Sequence, residues 1–217
     1  MTTQLAFDLP SLETWRREDF FPSPANAAAL QAVETATYLL LIGPAVSGKT
    51  HLAHIWASTT GADLIPLKDL PEILPYLSTT AAIAIDAADA PSRDETALFH
   101  LHNLLAASGK LLITATTPPC DWAHLPDLRS RLQAMPTACL APPDDALLSA
   151  VLIKLFADRQ ITVLPNLITY LITRMERSIA SARHLVAQVD ARALATRRPI
   201  NRSLVAELLD TQNATPW

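Results

Sequence analysis

Two glycines, a lysine and a threonine stand at the spacing that phosphate chemistry requires. Residues 43 to 50 read GPAVSGKT and fit the pattern G-x-x-x-x-G-K-[ST]. In such a loop the backbone N–H groups of Gly43, Pro44's neighbours Ala45 and Val46, Ser47 and Gly48 turn inward around phosphate oxygens. Lys49 reaches the β and γ oxygens, and the Thr50 hydroxyl sits on Mg²⁺. The chain has only 4 glycines, and two of them occupy the required positions. Coincidence is therefore a poor account of the pattern. A nucleotide site also needs a carboxylate on a second strand. The run Ala82-Ile83-Ala84-Ile85-Asp86 supplies it, because four apolar residues deliver an acid to a strand's carboxyl end, far enough after Thr50 for a crossover to a neighbouring parallel strand. Asp86 would hold Mg²⁺ through water. Hydrolysing sites usually carry a second acid directly after this one, to polarise the attacking water. Here that position is Ala87, and Asp89 lies too far on to replace it. The expected state is binding without efficient turnover.

These residues need a scaffold, and the hydrophobic pattern describes one. An apolar run at Tyr38–Ile42 predicts a buried strand leading into the loop. A helix over 49–58 then receives phosphates at its positive N-terminal end. Further strands are expected at 63–66, 81–85, 111–115 and 138–140, and helices at 71–77, 93–107 and 125–132. Leu98, Leu101, Leu104 and Leu105 recur at helical spacing in the second of these helices, and Gly109 ends it. Alternation of strand and helix implies an α/β fold with a parallel sheet covered on both faces. From Asp144 onward strand signals stop, and four helices are expected at 144–159, 165–175, 179–195 and 203–211. The expected organisation is a tail over 1–15, a nucleotide-binding α/β domain over 16–159 and a small all-helical lid over 160–217.

Composition limits the function classes. A net charge of −4 over 217 residues and a pI near 5.8 argue against a broadly basic nucleic-acid-binding protein. Cys120 and Cys139 have no CxxC spacing and read as reduced thiols. No run reaches the roughly 18 apolar residues of a membrane span, and no secretory leader is visible, so a soluble, cytoplasmic protein is expected. The 6 histidines show no metal-ligand spacing and the 4 tryptophans are scattered, with no aromatic array for stacking single-stranded nucleic acid.

Five segments together resemble the DnaA/Hda family of AAA+ proteins along nearly the whole chain. Arg17-Glu18-Asp19-Phe20-Phe21, followed by Ser23-Pro24-Ala25-Asn26, resembles the family's adenine-wrapping lead-in segment. GPAVSGKTHLAH resembles its loop and following helix. ITATTPP, from Ile113 to Pro119, resembles the sensor 1 strand, and LPDLRSRL, from Leu125 to Leu132, the segment carrying an arginine finger. Ser181-Ala182-Arg183-His184-Leu185 resembles the sensor 2 helix. The resemblance implies a P-loop NTPase (AAA+) fold and a bound ADP or ATP with Mg²⁺, contacted by Phe20, Phe21, residues 43–50, His51 and Arg183. It also implies that Arg131 is presented in trans to a nucleotide held by a neighbouring subunit. Such a finger neutralises charge building on a transferring γ-phosphate. Thr116 departs from the Asp or Asn that relatives often carry as sensor 1, which again argues against self-hydrolysis.

Within that family, Gln4-Leu5-Ala6-Phe7-Asp8-Leu9-Pro10 resembles a short sliding-clamp-binding motif. Leu5, Phe7 and Leu9 would fill apolar pockets while Gln4 fixes the register. No helix-turn-helix domain follows the last helix before Trp217, so sequence-specific DNA binding is not expected. The expected function is thus a nucleotide-dependent adaptor, with DnaA and the DNA polymerase sliding clamp as partners and self-association left open. Two alternatives stay open, a helicase-loader-like AAA+ ATPase and a self-contained P-loop ATPase or kinase.

Overall fold

The structure is a computed structural model, and it describes residues 15–213. Gln4, Leu5, Phe7 and Leu9 lie outside the described residues. Five short strands form one parallel sheet: β1 (Tyr38–Ile42), β2 (Asp63–Ile65), β3 (Ala82–Ile85), β4 (Lys110–Ala115) and β5 (Thr137–Cys139), in the order β2-β3-β4-β1-β5. Register is fixed by such pairs as Leu40 with Ile113 and Ile85 with Ile113 on either side of the centre.

The strands are apolar on both faces because both faces are covered. Side chains alternate along a strand, so its residues divide between two cores. Leu40, Ile83, Ile85, Leu111 and Ile113 enter one cluster. That cluster is covered by α3 (Leu70–Ile73), α4 (Glu95–Leu105), α5 (Pro119–Trp122) and α6 (Pro126–Ala134). Leu39, Leu41, Ala84 and Leu112 point the other way, toward α1 (Ala27–Thr35) and α2 (Lys49–Thr60). Trp56 of α2 is fully buried there and donates its indole N–H to the Ala36 carbonyl at 2.8 Å.

The remaining helices are α7 (Asp145–Asp158), α8 (Pro165–Ile172), α9 (Ile179–Thr196) and α10 (Arg202–Asn213). They share a third core, built on Leu148, Leu152, Phe156, Leu171, Val186 and Val205. The packing therefore groups α7 with the helices after it. Asp144 starts α7 and Ser178 starts α9, each accepting a backbone N–H of the first turn. Among the described residues no helix is long and apolar enough to cross a membrane.

Three stretches differ from the sequence reading. The helix α1 follows the lead-in segment where no element was expected, and α5 was not expected at all. The stretch expected as one helix over 71–77 is instead divided between α3 and a 3-10 turn at Leu74–Tyr76, with Pro71 and Pro75 each at the first or second position of its turn.

Candidate nucleotide-binding site

The loop 43–50 leaves the carboxyl end of β1 and feeds directly into α2. Its geometry explains its glycines. A Cβ on Gly43 would lie 2.8 Å from the Leu140 Cβ and 2.9 Å from the Ser47 Oγ, so only a glycine lets the loop pass this close to the end of β5. Gly48 has φ +102, a conformation that side chains disfavour, and Val46 takes a left-handed φ of +58. Lys49 is buried, with Nζ donating to the carbonyls of Gly43 and Pro44 at 2.8 Å each. Burial lowers its pKa, against the opposing pull of Asp86 and then Asp89. Ser47 Oγ is buried without a hydrogen-bond partner among the described residues.

Asp86 and Thr114 stand on the same sheet face as Ala84 and Leu112, the face that α2 covers. Thr50 of α2 meets them there, its hydroxyl donating to Asp86 Oδ2 at 2.8 Å while the Thr114 hydroxyl donates to Asp86 Oδ1. Thr114 Oγ1 also accepts the Ala87 N–H at 2.9 Å. Ala87 is left-handed, with φ +54, and this strained turn directs the backbone away right after the acid. Asp89 does not stand free beside the loop: its Oδ2 accepts the Thr116 N–H at 2.7 Å.

A cavity of about 910 Å³ opens over the loop, between the sheet unit and the helical unit. Phe20, Phe21, Asn26 and residues 46–51 line one side; Leu147, Val151, Lys154 and Arg183 line the other. Asn26 is buried and holds the aromatic wall in place, since its amide donates to the Phe21 carbonyl at 2.8 Å and its Oδ1 accepts the Ser23 N–H at 2.7 Å. His51 packs edge-on against Phe20 and its Nε2 contacts the Arg16 carbonyl at 2.9 Å. Desolvation lowers its pKa, with the Arg16 carbonyl and Asp19 opposing. Asp19 forms an ion pair with Lys154 of α7, tying the lead-in segment to the helical unit.

The structure thus gathers Phe20, Phe21, Val46, Ser47, Gly48, Lys49, Thr50, His51 and Arg183 around one cavity, with Gly43, Pro44 and Ala45 outside its lining and Asp86 bonded to Thr50. It does not bring Arg131 there. Arg131 is exposed on α6, with its guanidinium over the Phe99 ring at 5.5 Å. The approach to α6 is fixed by Glu95, which accepts the N–H groups of His124 and Leu125 at 2.8 and 2.7 Å and the Arg93 Nε at 3.1 Å. Burial works to raise the Glu95 pKa, but these donors outweigh it and the pKa is lowered.

Several of these residues were not singled out from sequence. Trp15 stacks on His54 with ring planes 3° apart, stands edge-on to His51, and lies under the Arg183 guanidinium at 5.8 Å. Trp15, His51 and His54 thus converge, because positions 51 and 54 share a helix face. Lys154 and Glu95 were also missed; Asn26 and Thr114 lay inside the lead-in and sensor-like segments, a signal that could have given each of them a role.

A five-stranded parallel sheet in this order, with a GKT loop after β1 and a helical unit over the cavity, is the AAA+ P-loop NTPase fold. The structure is similar to domain III of the Thermotoga maritima replication initiation protein DnaA, with 18% identity and a TM-score of 0.75 over 93% of this chain and 98% of that one. It is also similar to AMPPCP-bound DnaA from Aquifex aeolicus, at 16% identity and a TM-score of 0.63 over 80% of this chain and 64% of that one. The RuvB Holliday junction branch migration motor of Thermotoga maritima matches at 21% identity and a TM-score of 0.66, over 88% of this chain and 67% of that one. At these identities the likeness is one of fold. The sequence matches no family profile and no curated protein.

Proposed function

We propose that the chain is a nucleotide-bound AAA+ regulatory protein of the Hda type. In this reading it holds ADP or ATP with Mg²⁺ in the cavity and docks on the DNA polymerase sliding clamp through residues 4–10. There it promotes hydrolysis of ATP held by DnaA and so restrains the initiation of DNA replication. The observation that carries the reading is a separation: Lys49, Thr50 and Asp86 are gathered at the loop, whereas Arg131 is exposed outside the cavity.

The residues present fit a nucleotide. A loop that a single added Cβ would obstruct, an unpartnered buried Ser47 hydroxyl and an inward Lys49 all suit a phosphate chain. Thr50 and Asp86 would hold Mg²⁺, whose charge neutralises phosphate oxygens when bound. Phe20 and Asn26 shape the apolar end, and Arg183 reaches in from α9. No acid directly follows Asp86, where Ala87 stands, and Asp89 is engaged by the Thr116 N–H, so a water beside the γ position lacks a base placed to orient it. Arg131, by contrast, presents a planar fork to a neighbouring molecule, where it can stabilise charge that develops only in the transition state. The same arrangement is compatible with self-association.

The test is ATP hydrolysis by DnaA in the presence of DNA-loaded clamp, with and without the purified chain and ADP. Stimulation that needs the clamp and is lost on deleting residues 1–10 is expected. Robust multiple-turnover hydrolysis by the chain alone would instead mark a self-contained ATPase.

A further inference from the structure

The charge of this acidic chain is unevenly placed. Between residues 174 and 202 stand seven arginines, no lysine and two acids, Glu176 and Asp190, a net of +5 within a chain of net charge −4. The remainder of the chain therefore carries −9. Some of these arginines are neutralised: Arg177 pairs with Asp145 at 2.6 Å, and Arg198 with Glu207 at 2.7 Å. Arg174 and Arg202 are not. Both are exposed, and among the described residues neither has a carboxylate partner.

The fold brings these two together. Arg174 lies just beyond the end of α8 and Arg202 begins α10, yet their guanidinium carbons sit 3.9 and 4.7 Å from the centroid of one ring, Tyr170. Arg174 is further oriented by its hydrogen bond to the Thr173 hydroxyl at 3.1 Å. Tyr170 itself is partly buried against the core of the helical unit, so the ring is a fixed platform. The electron-rich ring stabilises each cation beside it, and a polyanion at this face would neutralise both.

We propose that the Arg174–Tyr170–Arg202 face binds the phosphodiester backbone of duplex DNA without regard to sequence. The chemistry selects this ligand. Exposed arginine forks match phosphate oxygens. With both guanidinium groups over it, the Tyr170 ring is not open for base stacking, so recognition is of the backbone. The negative charge elsewhere repels DNA from the other faces and confines it to this one. The inference does not depend on the role of Arg131 or on the clamp.

The test is anisotropy of a labelled mixed-sequence duplex titrated with the full chain at several salt concentrations. Wild type is expected to bind at low salt. Arg174→Ala with Arg202→Ala is expected to weaken binding about tenfold or more, and to reduce the slope of log affinity on log salt by about 1.8, the contribution of two phosphate contacts. An unchanged ADP-dependent melting shift shows that this variant is folded; Arg174→Lys with Arg202→Lys, which keeps the charges, is expected to retain most of the slope. Absence of wild-type binding at low salt, or an unchanged slope in the alanine variant, overturns the proposal. So does a variant that keeps DNA affinity but loses a protein partner, which would mean that the face receives an acidic protein surface. Marked preference for a single strand of equal length also contradicts it.

Discussion

Lys49 and Gly43 do different work in one loop, and substitutions separate them. Lys49→Ala removes the ammonium that would meet phosphate oxygens, so the variant should lose the thermal stabilisation that ADP gives the wild type. A ligand at a hundred times its Kd adds about 2.7 kcal/mol to the folded state. A melting temperature raised equally by ADP in both proteins would contradict the assignment. Gly43→Ala puts a Cβ 2.8 Å from the Leu140 Cβ, and neither atom is the free end of a flexible side chain. It should cost about 1–3 kcal/mol through overpacking, read as a lower urea midpoint with an unchanged slope. At this scale much of the loop was legible in the sequence. Residue type and spacing alone located Gly43, Gly48, Lys49 and Thr50, and the strand before Asp86 placed the acid that Thr50 touches. The contacts of Trp15 with His54 and of Asp19 with Lys154 were not legible, because they join positions whose proximity only the fold creates.

Among the elements, β1 runs over the residues that the apolar pattern marks, Tyr38–Ile42, because a strand buried on both faces leaves an unbroken apolar signature. The helix α1 left no comparable signal. Its sequence AAALQAVET follows two prolines and offers only Ala29, Leu30 and Val33 to the core. Likewise the sequence of α7 carries no mark of its partner, and only tertiary packing assigns it to the helical unit. The position of α6, and with it Arg131, depends on Glu95. Because the native pKa of Glu95 is lowered from 4.5, the stability it contributes is present above about pH 4.5 and is lost as the pH falls through the lowered native value. Glu95→Gln should therefore be less stable than wild type by about 1–2 kcal/mol at neutral pH, and the difference should shrink in acid. Urea midpoints at pH 7 and pH 3 check this, and a gap of the same size at both would sink it.

For the whole molecule, the division into a sheet unit and a helical unit, with a cavity of about 910 Å³ between them, places the residues proposed to hold a nucleotide on both and leaves Arg131 outside. The central claim is that this arginine acts on ATP held by another protein. The most direct measurement compares wild type, Arg131→Ala and Arg131→Lys in DnaA-ATP hydrolysis with DNA-loaded clamp. Each variant should fold and show the wild-type melting shift with ADP, because Arg131 does not line the cavity. The alanine variant should lose the stimulation by a factor of about 10³ or to background, as expected for a finger supplied in trans. Lysine should restore it only in part, since an ammonium lacks the planar fork. Full stimulation by Arg131→Ala would contradict the account.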